Sequence, residues 1–133
     1  MIAGVADPHT AIWYLFNHDR LSLVAGDFID RAAADGYRIA ISSINLAEIV
    51  YLIEKARIPP NVYTELNAAL ADPEHVFKEA AFMSEVVEAM RQVPRDAIPD
   101  MPDCIVAATA VYFGVPVISR DGKIRTSFVQ TIW

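Results

Sequence analysis

Residues 99–121 read PDMPDCIVAATAVYFGVPVISRD. Asp103 follows Pro102 and opens an apolar run from Ile105 to Phe113, which Gly114 stops. A β-branched segment, Val115 to Ile118, comes next and delivers a second carboxylate, Asp121. The first run has the length of a buried helix and the second that of a buried strand. An acid therefore opens the helix and another lies just past the strand, which is half of an active site. The small residues Ala107, Ala108 and Ala110 let such a helix lie close against a sheet and hold the two acids at a fixed separation.

Working outward, the same pattern recurs. Ile2 to Ala6 is a short apolar run ending at Asp7, as in a central strand. Pro8 suits a helix's first turn, and His9 to Phe16 follows with Ile12, Trp13 and Phe16 on one face. Asn17 to Arg20 is a polar loop. Ser22 caps a second helix carrying Val24, Phe28, Ile29 and Ala32, and Gly36 ends it. Tyr37 to Ile41 is a second strand. Ser43 caps a long helix through Ala56, with Ile44, Ala47, Val50 and Tyr51 at helical spacing and Glu48 inside that apolar face. Pro59 and Pro60 precede a helix with Val62, Leu66 and Leu70 in register. His75 to Glu79 is an edge strand, Phe82 to Val93 an amphipathic helix, and residues 94–102 a loop with three prolines. A basic turn, Arg120 to Arg125, leads to a last strand, Phe128 to Trp133. Strands alternating with helices imply an α/β sandwich with a mainly parallel central sheet, in one domain over residues 1–133.

Composition narrows the function. The chain has 133 residues, 54% of them hydrophobic, so a core is easily filled and apolar surface is left over for a partner. The helices Ser43 to Ala56 and Val62 to Leu70 are the expected sources of that surface. A net charge of −6 argues against binding nucleic acid through a broad basic face, and so against direct DNA binding by this chain alone. The single cysteine, Cys104, forms no intrachain disulfide and fits a reducing cytoplasm. No apolar run approaches the roughly 18 residues of a membrane span.

In parallel α/β sheets ligands bind beyond the carboxyl ends of the strands. Asp7 and Asp121 each lie just past a strand, Glu48 early in the helix after one, and Asp103 at the start of the helix before one. Each has a plain structural role available. Asp7 and Asp103 suit N-caps, Asp121 before Gly122 a turn, and Glu48 a buried ion pair. Together they converge on one sheet edge. Four ionised carboxylates share a small pocket only with a cation. Mg²⁺ or Mn²⁺ matches an oxygen donor set and suits phosphoryl chemistry by an activated water. Asn45, one turn before Glu48, can hydrogen-bond a ligand carboxylate or metal water. Ser119 can hold Asp121 or Asp7. Arg120, Lys123 and Arg125 are the basic cluster available for substrate phosphates. Asp100 is assigned to a solvated loop, with added charge at the rim as its alternative, and His9 to structure or solvent, with the crevice lining as its alternative. Trp13, Tyr14 and Trp133 are assigned to the core or an interface rather than to base stacking.

Across these segments the sequence resembles the PIN-domain nucleases, and among them the VapC-like toxins of type II toxin–antitoxin pairs. The matching stretches are VADPHTAIWYL (5–15), ISSINLAEIVYLIEKARIP (41–59), PDMPDCIVAATA (99–110) and VPVISRDGKIR (115–125). The resemblance implies a PIN-like α/β/α fold and a metal-dependent endoribonuclease that hydrolyses RNA phosphodiester bonds. Asp7, Glu48, Asp103 and Asp121 are then its catalytic, metal-binding acids. It also implies a homodimer neutralised by a cognate antitoxin protein, whose contact segment would carry arginine or lysine into the acidic crevice. Two departures stand out. Many relatives have a hydroxyl residue after the first Asp, where this chain has Pro8, so hydroxyl support for Asp7 falls to Thr10 or Ser119. Many follow the third acid with arginine, where this chain has Cys104. Two alternatives stay open: a catalytically silent PIN-fold interaction module, and a receiver-like Mg²⁺-binding signalling domain. The receiver would need an acidic pair before its first acid-bearing turn and a lysine after its last strand. Residues before Asp7 are apolar here, and Phe128 to Trp133 contains no lysine.

Overall fold

A computed structural model describes residues 1–125 and 129–133, apart from the side chains of residues 123 and 125. The strands are β1 (Ile2–Ala6), β2 (Arg38–Ser42), β3 (Phe77–Ala80), β4 (Val117–Ile118) and β5 (Thr131–Ile132). The helices are α1 (Pro8–Leu15), α2 (Leu23–Ala34), α3 (Ser43–Glu54), α4 (Asn61–Ala71), α5 (Ser84–Met90), α6 (Met101–Phe113) and α7 (Gly122–Arg125). The sheet runs in the order β3-β2-β1-β4-β5, and every described pairing is parallel. This is the α/β/α sandwich with a parallel central sheet that the sequence implies. The chain lays β2 and β3 on one side of β1, then crosses back to place β4 on the other. The crevice at the carboxyl ends of β1 and β4 is therefore the point where strand order reverses.

Period-2 alternation divides the core. Val5, Ala40 and Val117 face a cluster with Val86, Ala89 and Val93 of the α5 region and with Cys104, Val106 and Ala107 of α6. Ala6, Ile39, Ile41 and Ile118 face the opposite cluster, with Ala11, Ile29, Ile49 and Leu66 from α1 to α4. Residues 104–110 are all buried, because their small and branched side chains leave no polar stripe for solvent. Gly114 ends α6 at φ +67°, a left-handed conformation in which a Cβ would be strained.

Several boundaries differ from the sequence expectation. The strand expected at 37–41 is shifted one residue, and Ser42 rather than Ser43 caps α3, its Oγ accepting the Ile44 N–H at 3.3 Å. That helix stops at Glu54, with Ala56 at φ +57° beyond it. Its buried stripe is Asn45 and Ile49, while Ala47, Val50 and Tyr51 face solvent. The apolar spacing was real but pointed outward: three apolar positions at i, i+3 and i+4 define a face without saying whether sheet or solvent meets it. In α4 the reverse holds. Val62 and Leu66 are core, and the exposed side is Asn61, Thr64, Glu65, Asn67 and Ala68, so this helix supplies no surplus apolar face.

The amphipathic segment expected from Phe82 is helical only over α5, and Phe82 is exposed. The edge strand is Phe77–Ala80 rather than 75–79, and β4 begins at Val117 rather than Val115. The expected basic turn at 120–125 contains the short helix α7. The last strand is short, and the part of it expected at Phe128 lies outside the described residues.

Candidate active site

Asp7, Glu48, Asp100, Asp103 and Asp121 line one open crevice of about 480 Å³, together with Pro8, His9, Trp13, Arg20 and Arg120. The two core acids at the sheet edge are braced by the backbone around them. Asp7 caps α1, its Oδ1 accepting the Thr10 N–H at 2.9 Å. Its Oδ2 accepts a short hydrogen bond from the Ser119 hydroxyl. Ser119 Oγ in turn accepts the Asp121 N–H at 3.0 Å. One buried hydroxyl thus ties the ends of β1 and β4 together and sets the positions of two acids. Thr10 contributes otherwise than expected. Its backbone N–H reaches Asp7, while its hydroxyl donates to the Ile118 carbonyl at 2.9 Å. Pro8 leaves no gap, since Ser119 supplies the hydroxyl that a residue after Asp7 would provide.

Asp103 was expected to cap α6, but Asp100 does so, its Oδ2 accepting the Asp103 N–H at 3.2 Å. The motif Asp-Met-Pro-Asp fits this better: Pro102 belongs inside the first turn, so the cap lies before it. Asp103 is thereby released from capping, and its carboxyl faces the crevice. Its pKa is pushed from 3.8 up to about 7, first by burial and then by Asp121, Asp100, Glu48 and Asp7. The Glu48 carboxyl is also raised, chiefly by burial and by Asp100, with Asn45 and His9 pulling it down. Asn45 is fully buried. It lies in reach of Glu48, yet neither Nδ2 nor Oδ1 closes a hydrogen bond of ordinary geometry. A buried amide is costly without a partner, and Glu48 is the crevice group within its reach.

These features bear on whether the residues suit a cation. The donors are all oxygens, two of the acids are held back from ionising, and a buried amide lacks a partner. Each fits a hard divalent ion with its water shell. Among the described residues no three His, Cys, Asp or Glu converge tightly enough to hold an ion directly. That suits Mg²⁺, which keeps several waters and takes only one or two carboxylates.

Cationic and aromatic side chains share the crevice with the acids. Arg120 lies over the Trp13 ring, 5.6 Å from its centroid. Arg20 and His9 also line the crevice. The side chains of Lys123 and Arg125, expected beside Arg120, lie outside the described residues. Trp13 was assigned to core or interface, and Arg20 to a polar loop; both stand in the crevice. The signal for Trp13 was available, since it follows the crevice residue His9 by one helical turn, 5.6 Å ring to ring. Nothing local marks Arg20. Cys104, which replaces an expected arginine, points away from the crevice into the core, where burial pushes its thiol pKa up.

The PIN domain family model matches residues 5–126. Ribonuclease VapC22 of Mycobacterium tuberculosis is 25% identical over 126 residues, covering 95% of this chain and 92% of that protein. Among solved structures, VapBC2 from Rickettsia felis bound to a DNA fragment from its promoter superposes with a TM-score of 0.71 at 16% identity. It covers 98% of this chain and 97% of that one. A toxin–antitoxin complex from Klebsiella pneumoniae gives 0.62 at 19% identity, with the same coverage. At these identities the two structures speak to the fold.

Proposed function

This chain belongs to the PIN domain family, and on that premise we propose that it is a Mg²⁺- or Mn²⁺-dependent endoribonuclease, the toxin of a toxin–antitoxin pair. The observation that carries the reading is the crevice that Asp7, Glu48, Asp103 and Asp121 line together, with Asp103 driven up to about 7 by burial and then by its acidic neighbours. Proteins do not keep such a charge cluster at a sheet edge for stability, because it costs folding energy unless a cation offsets it. The name of the Mycobacterium relative, a ribonuclease, supports the substrate class. PIN membership sets the receiver-like alternative aside. No observation favours a silent module, since all four acids are present.

One or two of Asp7, Glu48, Asp103 and Asp121 would hold the ion directly and the others through its water shell, and Asn45 would bond a water or carboxylate of that shell. When bound, the ion supplies a water of lowered pKa and Lewis acidity toward the phosphate. The chain does the rest. Ser119 and the Thr10 N–H fix Asp7 so that it need not reorganise during the reaction. The same hydroxyl anchors the backbone at Asp121. A bound cation would favour the ionised forms of Asp103 and Glu48, whose pKa values burial and neighbouring acids raise. Arg120 and Arg20 line the same crevice as the acids and would take substrate phosphates.

The similar structure from Klebsiella pneumoniae is a toxin–antitoxin complex, which supports an antitoxin partner here. An acidic crevice favours a partner segment bearing arginine or lysine. The homodimer rests on the outward apolar face of α3, where Val50 is 38% and Tyr51 56% exposed. No described helix is long and apolar enough to cross a membrane, and we place the protein in the cytoplasm. The test is cleavage of single-stranded RNA by purified protein with Mn²⁺, its loss with chelator, and its suppression by the protein encoded alongside. Cleavage that persists in chelator would sink the metal-dependent reading.

A further inference from the structure

Arg120 is exposed and shares the crevice with five carboxylates, Asp7, Glu48, Asp100, Asp103 and Asp121. A long cationic side chain among acids ordinarily makes a charge-assisted hydrogen bond to one of them. Among the described residues Arg120 makes no such ion pair. Its guanidinium lies over the Trp13 ring, 5.6 Å from the centroid. A planar guanidinium stacks on aromatic faces, and an indole is the strongest of them.

The indole is itself held from several sides. His9 lies 5.6 Å from it, ring to ring, Trp133 5.9 Å, and His18 6.1 Å at 29° between planes. His18 Nδ1 accepts the Arg20 backbone N–H at 3.0 Å, so the loop that carries Arg20 into the crevice is shaped against the same ring. Trp13 belongs to α1, and Asp7 is the cap of that helix. The first acid of the site and the ring beneath Arg120 are therefore fixed to one short, rigid element.

We propose that Trp13 is a positioning residue: its ring holds the Arg120 guanidinium off the acids and keeps it in place for a substrate phosphate. The inference rests on the ribonuclease reading above and goes beyond it by assigning how the arginine stays available. The physical case is a competition. An arginine released into this crevice would neutralise an acid that the ion needs, and it would be lost to the phosphate. Stacking avoids both, because the ring takes the face of the guanidinium and leaves its edge free. That edge is the fork of N–H donors that matches a phosphate.

The test is a double-mutant cycle of Trp13→Leu and Arg120→Ala. Leucine keeps apolar bulk and removes the π-face. The probe is a fluorescein-labelled single-stranded oligoribonucleotide, whose anisotropy follows binding to the Asp7→Asn forms in Mn²⁺. Trp13→Leu should weaken binding roughly 2- to 30-fold where Arg120 is intact and add nothing on the Arg120→Ala background. A merely structural role would weaken both alike. Trp13→Phe should retain most of the affinity. In the cleaving protein the loss should fall on KM, with kcat little changed. Should Trp13→Leu unfold, emission decides. The chain has two tryptophans, so Trp133→Phe leaves Trp13 as the sole indole, and Arg120→Ala should then shift its emission by removing the cation over the ring. Equal losses on both backgrounds, unchanged binding by Trp13→Leu, or Trp13 emission that ignores Arg120→Ala overturns this inference alone, provided the parent cleaves RNA. A parent that neither binds nor cleaves RNA defeats the ribonuclease reading, and this inference with it.

Discussion

Asp103→Asn should stabilise the metal-free protein at neutral pH while destroying its activity. A carboxyl raised from 3.8 to about 7 in the folded state binds its proton more tightly folded than unfolded. The sign follows: its contribution is intact below the unfolded value and is lost as pH climbs to about 7. In full, the rise corresponds to roughly 4 kcal/mol. Asp103 is only half-buried, and solvent screening removes half or more of that. Asn also forgoes the favourable charge of an acid in the first turn of α6, about 0.5 kcal/mol. About 1–1.5 kcal/mol remains, or roughly 3–7 °C in Tm for a chain of this size. The assay is thermal unfolding followed by circular dichroism in chelator, from pH 4 to pH 8. The two proteins should melt together near pH 4, where Asp103 is largely protonated, and diverge as pH rises. With Mg²⁺ the order should reverse, because the ion stabilises only the protein that binds it. A difference that is absent at pH 8 or constant with pH would refute the crowding of charge on which the site rests.

Two further outcomes follow from the same geometry. Ser119→Ala removes the hydroxyl that bonds Asp7 and holds the Asp121 backbone. It should lower RNA cleavage about 10- to 100-fold and cost about 1–3 kcal/mol of stability, with Ser119→Thr restoring part of both; an unchanged rate would show that the brace is idle. Mg²⁺ binding near pH 7 should release about half a proton from Asp103, falling toward none by pH 9, as read by calorimetry in buffers of different ionisation enthalpy; no release at pH 7 would mean that the ion binds away from Asp103.

The sheet and its acidic edge were legible because they depend on patterns a sequence displays. Short apolar runs such as Ile2 to Ala6, each followed by a polar stop, place strands without knowledge of their neighbours. Asp7 and Asp121 stood out because each follows a strand, Asp103 because it opens an apolar helix, and Glu48 because it is an acid inside an apolar helix face. What stayed hidden depends on which side of a helix meets the sheet. Ala47, Val50 and Tyr51 look like a core face, and only the packing of Asn45 and Ile49 shows that they point outward. The cap of α6 was ambiguous between two acids three residues apart, and the proline between them decides it. Trp13 and Arg20 were missed for a different reason. The place of Trp13 depends on where α1 lies relative to the end of β4, a relation between segments more than a hundred residues apart, and Thr10 bonding to Ile118 is its visible trace; that of Arg20 depends on the path of the loop after α1.

The most direct test of the central claim is RNA cleavage by Asp7→Asn and Asp121→Asn in Mn²⁺, each first shown by circular dichroism to be folded. Both acids line the crevice and share the Ser119 brace. The expected result is loss of cleavage in both, with the parent protein active and silenced by chelator. Undiminished metal-dependent cleavage by both variants would contradict the four-carboxylate site.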